Sequence, residues 1–199
     1  MSIEPFSILI LAGGHSRRLG RDKTQVRLGE QTLLQATVDR VSALTDDLVI
    51  VVRQEQSAPQ GPWRVAHDAA ADGGLVAALA GGLAAARHRW ALAIGGDMPF
   101  VSAAVVHHLA SLADGWQAVI PSCERGLEPL HALYRADVLT LLMTAVQQGE
   151  RRLSAALAVL GCRFVPEAEW RPYDPQGRSF LNVNTPDDLM LAQRLLVAG

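Results

Sequence analysis

Two cysteines, Cys123 and Cys162, are all that this 199-residue chain holds. Neither belongs to a Cys-x-x-Cys pair, and two thiols make no disulfide framework, so they read as buried or partly buried thiols of a reducing compartment. A basic surplus is missing as well. The formal net charge is −2, which argues against a general nucleic-acid binder. No apolar run is long enough to span a bilayer, and the alanine-rich stretch Leu75–Ala86 is broken by Gly81 and Gly82. Met1–Ser7 lacks the basic start and long apolar core of a signal peptide. No linker, repeat or low-complexity tract divides the chain. The expectation is one cytoplasmic domain over residues 1–199, with neither membrane nor nucleic acid as a partner. Hydrophobic residues make up 49% and charged residues 19%, a globular rather than disordered balance, in a length that fits one full core.

Strand and helix signals alternate along the chain. Phe6–Ala12 reads as a buried strand, Thr32–Leu44 as an amphipathic helix on the spacing of Leu33, Leu34, Val38, Val41 and Leu44, and Leu48–Val52 as a second strand. Trp63–Ala66 is a third strand. Leu75–Arg87 is a helix of small residues suited to close packing on a sheet. Trp90–Ile94 is a strand that breaks into Gly95-Gly96-Asp97, and Ser102 caps a helix to Leu112. Strands at Gln117–Ile120 and Pro129–Tyr134, helices at Ala136–Gln148 and Arg152–Leu160, and a short strand at Cys162–Val165 follow. The last helix opens with Thr185 as cap, Pro186 at its first position and Asp187 and Asp188 at the positive end of the dipole. Such alternation predicts an α/β fold, three-layered and Rossmann-like, with a mainly parallel sheet between helices. Ligands in such sheets bind beyond the carboxyl ends of the strands.

At the first of those strand ends stands Leu11-Ala-Gly-Gly-His-Ser-Arg-Arg-Leu-Gly-Arg-Asp-Lys23. Gly13 and Gly14 let backbone N–H groups approach a ligand, and Arg17, Arg18, Arg21 and Lys23 bring positive charge. The layout suits a polyphosphate. It is not the phosphate loop with its Gly-Lys-Ser/Thr ending, because Arg21 follows Gly20, and it is not the dinucleotide fingerprint. Asp97, between glycines and a proline after a buried strand, is either a Mg²⁺ ligand or a turn aspartate. The basic loop in the same chain favours the metal. Asp68 and Asp72 read either as ligand contacts or as turn residues. Arg151 and Arg152 either meet a phosphate or form a solvated pair. His131 reads as a structural histidine. The strand end Val51-Val52-Arg53 is where a further base contact is expected, with no residue assigned to it.

The loop, read as Leu-Ala-Gly-Gly-x-Ser-x-Arg-Leu-Gly-x-Asp-Lys, resembles the signature of the nucleotidyltransferases related to molybdenum cofactor guanylyltransferase. Leu19 replaces their usual Met. Asp97-Met-Pro is similar to the family's Asp-x-Pro motif, and Asn182-Val-Asn184-Thr-Pro-Asp-Asp-Leu189 to its Asn-Val-Asn-Thr-Pro motif. Gly73-Gly74-Leu75-Val76-Ala77 departs from the family's Gly-Pro-Leu-Ala-Gly, a segment that helps recognise the base in relatives. The resemblance implies an N-terminal nucleotide-binding part and a C-terminal pterin-binding part. It implies nucleotide contacts at Leu11, Ala12, Gly13, Gly14, Lys23, Asp68 and Asp97, catalytic roles for Arg17, Lys23 and Asp97, and Mg²⁺ on Asp97. The pterin would meet Asn182, Asn184, Arg151 and Arg152. The implied reaction joins GMP from GTP to molybdenum-molybdopterin, whose product passes to molybdenum-insertion proteins and molybdoenzymes. Competing readings are transfer from CTP, whose users usually carry Ala in place of Gly13, transfer to a sugar phosphate, and a non-catalytic pterin-binding protein.

Overall fold

The structure is a computed structural model and describes residues 4–13, 15–16, 21–22, 26–57 and 59–198. Its framework is one sheet. Strand β1 (Phe6–Leu11) lies at the centre, parallel to β6 (Leu48–Val52) on one side and to β8 (Trp90–Gly95) on the other, and β7 (Arg64–His67) continues parallel beyond β6. Beyond β8 come β11 (His131–Arg135), β9 (Ala118–Cys123) and the two-residue edge β10 (Gly126–Leu127), with β12 (Cys162–Val165) parallel to β9. The sheet is mainly parallel, but β11 runs antiparallel to both β8 and β9. Two short ladders, β2 (His15–Ser16) with β3 (Arg21–Asp22) and β4 (Arg27–Leu28) with β5 (Gln31–Thr32), stand apart from it.

Strand alternation divides the core into two layers. Phe6, Ile8 and Ile10 of β1 pack with Leu34 and Val38 of α1 (Leu33–Val41) and with Val105 and Leu109 of α3 (Ala103–Ser111). Leu9 and Leu11 face the opposite way, toward Leu79 and Leu83 of α2 (Gly74–Ala85), Leu142 of α4 (Val138–Gln147) and Leu153 of α5 (Leu153–Leu157). Each large aliphatic side chain buried this way contributes about 1.5–3 kcal/mol. Helix α2 comes closest to the sheet because it lacks side chains where it touches. A Cβ on Gly81 would lie 2.0 Å from the carbonyl oxygen of His67, and one on Gly82 2.9 Å from Leu9.

Element boundaries follow capping chemistry. Thr32 Oγ1 accepts the Gln35 N–H at 3.1 Å and starts α1, which ends at Val41 in a 3₁₀ turn through Leu44. Ser102 Oγ accepts from Val105 N–H and starts α3. At α7 (Pro186–Ala198), Thr185 Oγ1 accepts from Asp188 N–H while Asp188 Oδ2 accepts from the Thr185 and Asn184 N–H groups, a reciprocal capping box. Helix α5 stops at Leu157, short of the expected Leu160, and a one-turn helix, α6 (Glu167–Trp170), was not signalled. Both cysteines are unpaired. Among the described residues no helix is long and apolar enough to cross a membrane.

Candidate active site

The sheet register lines up the site. Leu11 of β1 pairs with Gly95 of β8 and with Val51 of β6, and Val51 pairs with Ala66 of β7. Two residues further along each strand are Asp97, Gly13, Arg53 and Asp68, in that order across the sheet. All four line one cavity of about 380 Å³ at the carboxyl ends of the strands. Its wall on the helical side is Gly74, Leu75 and Ala78 of α2, and Arg151 closes the far edge. Strand order reverses at β1, so the cavity occupies the topological switch point where an open α/β sheet leaves a crevice.

Asp97 is only 5% exposed. Its turn stays attached to β1 through the Gly96 N–H, which donates to Leu11 O at 3.1 Å. Gly95 leaves room for the carboxylate: a Cβ there would lie 2.6 Å from Asp97 Oδ1. Among the described residues no three or more acidic, histidine or cysteine side chains cluster as metal ligands. A cation at Asp97 would draw its other ligands from substrate phosphates and water, the usual manner of Mg²⁺, so the residues present fit that ion.

Asp68 follows β7, and its N–H donates to Val52 O at 2.9 Å. Its Oδ1 is buried without a hydrogen-bond partner. Burial pushes the carboxyl up to about 6, against the pull of Arg53 and His67. Asp72 has φ +55° and its carbonyl accepts from Arg151 Nε, so it shapes the turn that holds Arg151 in place. The departure at Gly73-Gly74 has a physical reason. Gly74 has φ +64°, which proline cannot adopt, and a Cβ on it would lie 2.7 Å from Arg151 O. The α2 entry is therefore wound to admit the Arg151 backbone.

Other expected site residues lie elsewhere. Ala12 is buried with its N–H donating to Val51 O, on the face opposite the cavity. Arg152 is exposed and paired with Glu150. Asn182 and Asn184 flank the fully buried Val183, so both turn away from its core. Asn182 Nδ2 donates to Phe180 O at 3.4 Å. They do not line the cavity, but the Val183 N–H donates to Asp97 O at 3.0 Å, tying their segment to the Asp97 turn. His131 is fully buried against Phe180, and burial holds its imidazole down at about 4, a neutral structural ring. Gly14, Arg17, Arg18 and Lys23 lie outside the described residues. Arg53 is the cavity residue that the sequence left unassigned. Its signal was position, as the first polar residue after the apolar run of β6.

A cavity at the switch point of an open α/β sheet, lined by Gly13 and a buried carboxylate, is the ligand site of this class of fold. The chain belongs to the MobA-like NTP transferase family: residues 8–169 match the model described as MobA-like NTP transferase domain. A Chloroflexus aggregans protein described as probable molybdenum cofactor guanylyltransferase is 38% identical over 194 residues, 94% of this chain and 93% of its own. A Desulfosudis oleivorans protein described as molybdenum cofactor guanylyltransferase is 31% identical, with 96% of each chain covered. The crystal structure of molybdopterin-guanine dinucleotide biosynthesis protein A from Archaeoglobus fulgidus superposes with a TM-score of 0.87 at 29% identity, covering 98% of this chain and all of that one.

Proposed function

We propose that this protein transfers GMP from GTP to the terminal phosphate of molybdenum-molybdopterin, releasing pyrophosphate and forming the guanine dinucleotide form of the molybdenum cofactor. The observation that carries the reading is the single row Asp97, Gly13, Arg53 and Asp68 on one cavity of a MobA-like chain. Three inter-strand steps of about 4.8 Å make the row roughly 14 Å long. Base, sugar and phosphates can be laid out along it, with the base toward Asp68 and the phosphates toward Gly13 and Asp97.

The attacking atom is a substrate phosphate oxygen. It forms a bond to the α-phosphorus as the bond from that phosphorus to the bridging oxygen breaks, and the electron pair leaves with pyrophosphate. No general base is needed, because a phosphate monoester is already ionised near neutral pH. The work of the protein is to bring two anions together in line and to offset charge on the leaving oxygens. Gly13 supplies close backbone approach. We assign Lys23 and Arg17 to the phosphates, Arg151 to the pterin phosphate where it borders the cavity, and Asn182, Asn184 and Arg152 to the pterin. Asp97 would hold Mg²⁺, which when bound supplies Lewis-acid stabilisation of phosphate charge. The proposed compartment is the cytoplasm, in keeping with two unpaired thiols, and the proposed receivers of the product are molybdenum-insertion proteins and molybdoenzymes.

The test is a transfer assay with α-labelled GTP, CTP or ATP, Mg²⁺ and molybdenum-loaded molybdopterin. Label from GTP alone entering the pterin dinucleotide is the expected result. Transfer from CTP instead would reassign the base, and pterin binding without transfer from any nucleotide would overturn the enzymatic reading.

A further inference from the structure

Arg53 and Asp68 lie side by side at the ends of β6 and β7, where Val52 pairs with His67. Both line the site cavity and an adjoining hollow of about 420 Å³ shared with Gln54 and Asp72. Each carries one buried polar atom without a hydrogen-bond partner, Nε of Arg53 and Oδ1 of Asp68. Leaving such atoms unpaired is costly, so a ligand that offers acceptors to one and donors to the other is the natural complement. Gly13 explains how the arginine reaches this place. A Cβ there would lie 3.0 Å from Arg53 Cγ and 3.2 Å from Arg53 N, so the aliphatic stem of Arg53 rests on the bare face of Gly13.

We propose that Arg53, seated against Gly13, is a specificity residue that reads the O6/N7 edge of guanine opposite Asp68. The proposal rests on the GTP reading above and deepens it. Guanine offers two acceptors, O6 and N7, on one edge, the pair that a guanidinium fork recognises, and donors N1–H and N2–H₂ on the next, which suit a carboxylate. Adenine keeps the N7 acceptor but puts an amino donor in place of O6 before the arginine, and its unprotonated N1 would face the carboxylate. The pair therefore selects guanine by attraction and rejects adenine by two like-against-like contacts. The same contact gives Gly13 a role in base choice, because an alanine there would displace the arginine stem by a few tenths of an ångström.

The experiment is calorimetric binding of GTP, of its analogues 7-deaza-GTP, 6-thio-GTP and ITP, and of ATP and CTP, with Mg²⁺, to the wild type and to Arg53→Met, which keeps the stem and removes the donors. The three analogues of GTP remove N7, weaken the acceptor at position 6 and delete the 2-amino group respectively. In the wild type, 7-deaza-GTP or 6-thio-GTP binds roughly tenfold more weakly than GTP, the worth of a hydrogen bond to a charged group. In Arg53→Met that ratio falls to about 1, while the GTP-to-ITP ratio set by Asp68 is kept. Ratios cancel the general loss of positive charge. Gly13→Ala shrinks the same ratio partway. A discrimination that survives in Arg53→Met, or a wild type indifferent to both edge analogues, overturns the proposal while leaving the GTP reading intact. A wild type with no preference for GTP over ATP and CTP overturns the underlying reading instead. A melt by circular dichroism confirms that each variant is folded before its ratios are compared.

Discussion

Replacing Asp68 by asparagine is expected to stabilise the ligand-free protein at neutral pH while weakening its hold on GTP. The carboxyl ordinarily titrates at 3.8, and burial raises it to about 6 in the folded chain. Between those values the unfolded chain releases the proton while the folded chain keeps it. Folding stability therefore falls as pH rises from about 4 to about 6, and the deficit stays complete above that window. At 1.36 kcal/mol per pH unit the ceiling is about 3 kcal/mol. Asp68 is partly open to solvent, and screening reduces the effect to about 1 kcal/mol. For a chain of this size that corresponds to a rise of about 2–4 °C in Tm for Asp68→Asn at pH 7.5. Circular dichroism melts of both proteins, run at pH 7.5 and pH 4, provide the assay: the gap is present at the first pH and nearly closed at the second. The partner measurement is KM for GTP in the wild type. It should rise as pH drops below about 6, because the protonated carboxyl can no longer accept from both N1–H and N2–H₂. Equal melting temperatures at pH 7.5, or a variant less stable than the wild type, would refute the reasoning.

Asp97→Ala should abolish transfer in a variant that still folds, since the bond that ties its turn to Val183 uses the backbone carbonyl; residual turnover near the wild-type rate would remove Asp97 from the metal role. Lys23→Ala should lower kcat/KM for GTP by roughly a hundredfold. Lys23 is also the single lysine in the chain, so reductive methylation followed by mass spectrometry should show it protected by GTP with Mg²⁺. Asp47→Asn should cost roughly 3 kcal/mol. Burial pushes that carboxyl up, but bonds from Ser7 Oγ, Arg87 N–H and Arg64 outweigh it and hold it below the ordinary range. Its stabilising share is thus present above pH 4 and lost as pH falls further, which urea titrations at pH 7 and pH 3.5 would check.

The central strands were legible because burial on both faces leaves no room for a mixed pattern. Every residue of β1 and β8 is buried, and each run is apolar except Ser7, whose hydroxyl is bonded to Asp47. Helix starts were legible where one side chain does the capping, as at Ser102 and Thr185. The reversed direction of β11 was not read, although it had a signal. Residues 124–130 between β9 and β11 are too few for a parallel crossover, which needs a dozen or more. The two-residue ladders and α6 are too short to carry any period. They form because neighbouring elements bring their backbones together, a tertiary cause that local sequence does not contain.

The site was partly legible for a related reason, and the register supplies the missing part. A fully buried strand must end where the chain reaches solvent, so its first polar or glycine residues past the last apolar one mark the rim of the sheet. The family resemblance singled out three of these positions, Gly13, Asp68 and Asp97, and left Asp68 open between a ligand contact and a turn residue on its local sequence alone. Arg53 was not among them. Only the pairing Leu11 with Val51, and Val51 with Ala66, puts it in the same row. That row also explains why the glycine matters. A side chain at position 13 would press on the Arg53 stem and backbone, which rest on the bare face of the glycine. The emptiness at Gly13 is therefore as much a part of the proposed nucleotide site as the charges on either side of it.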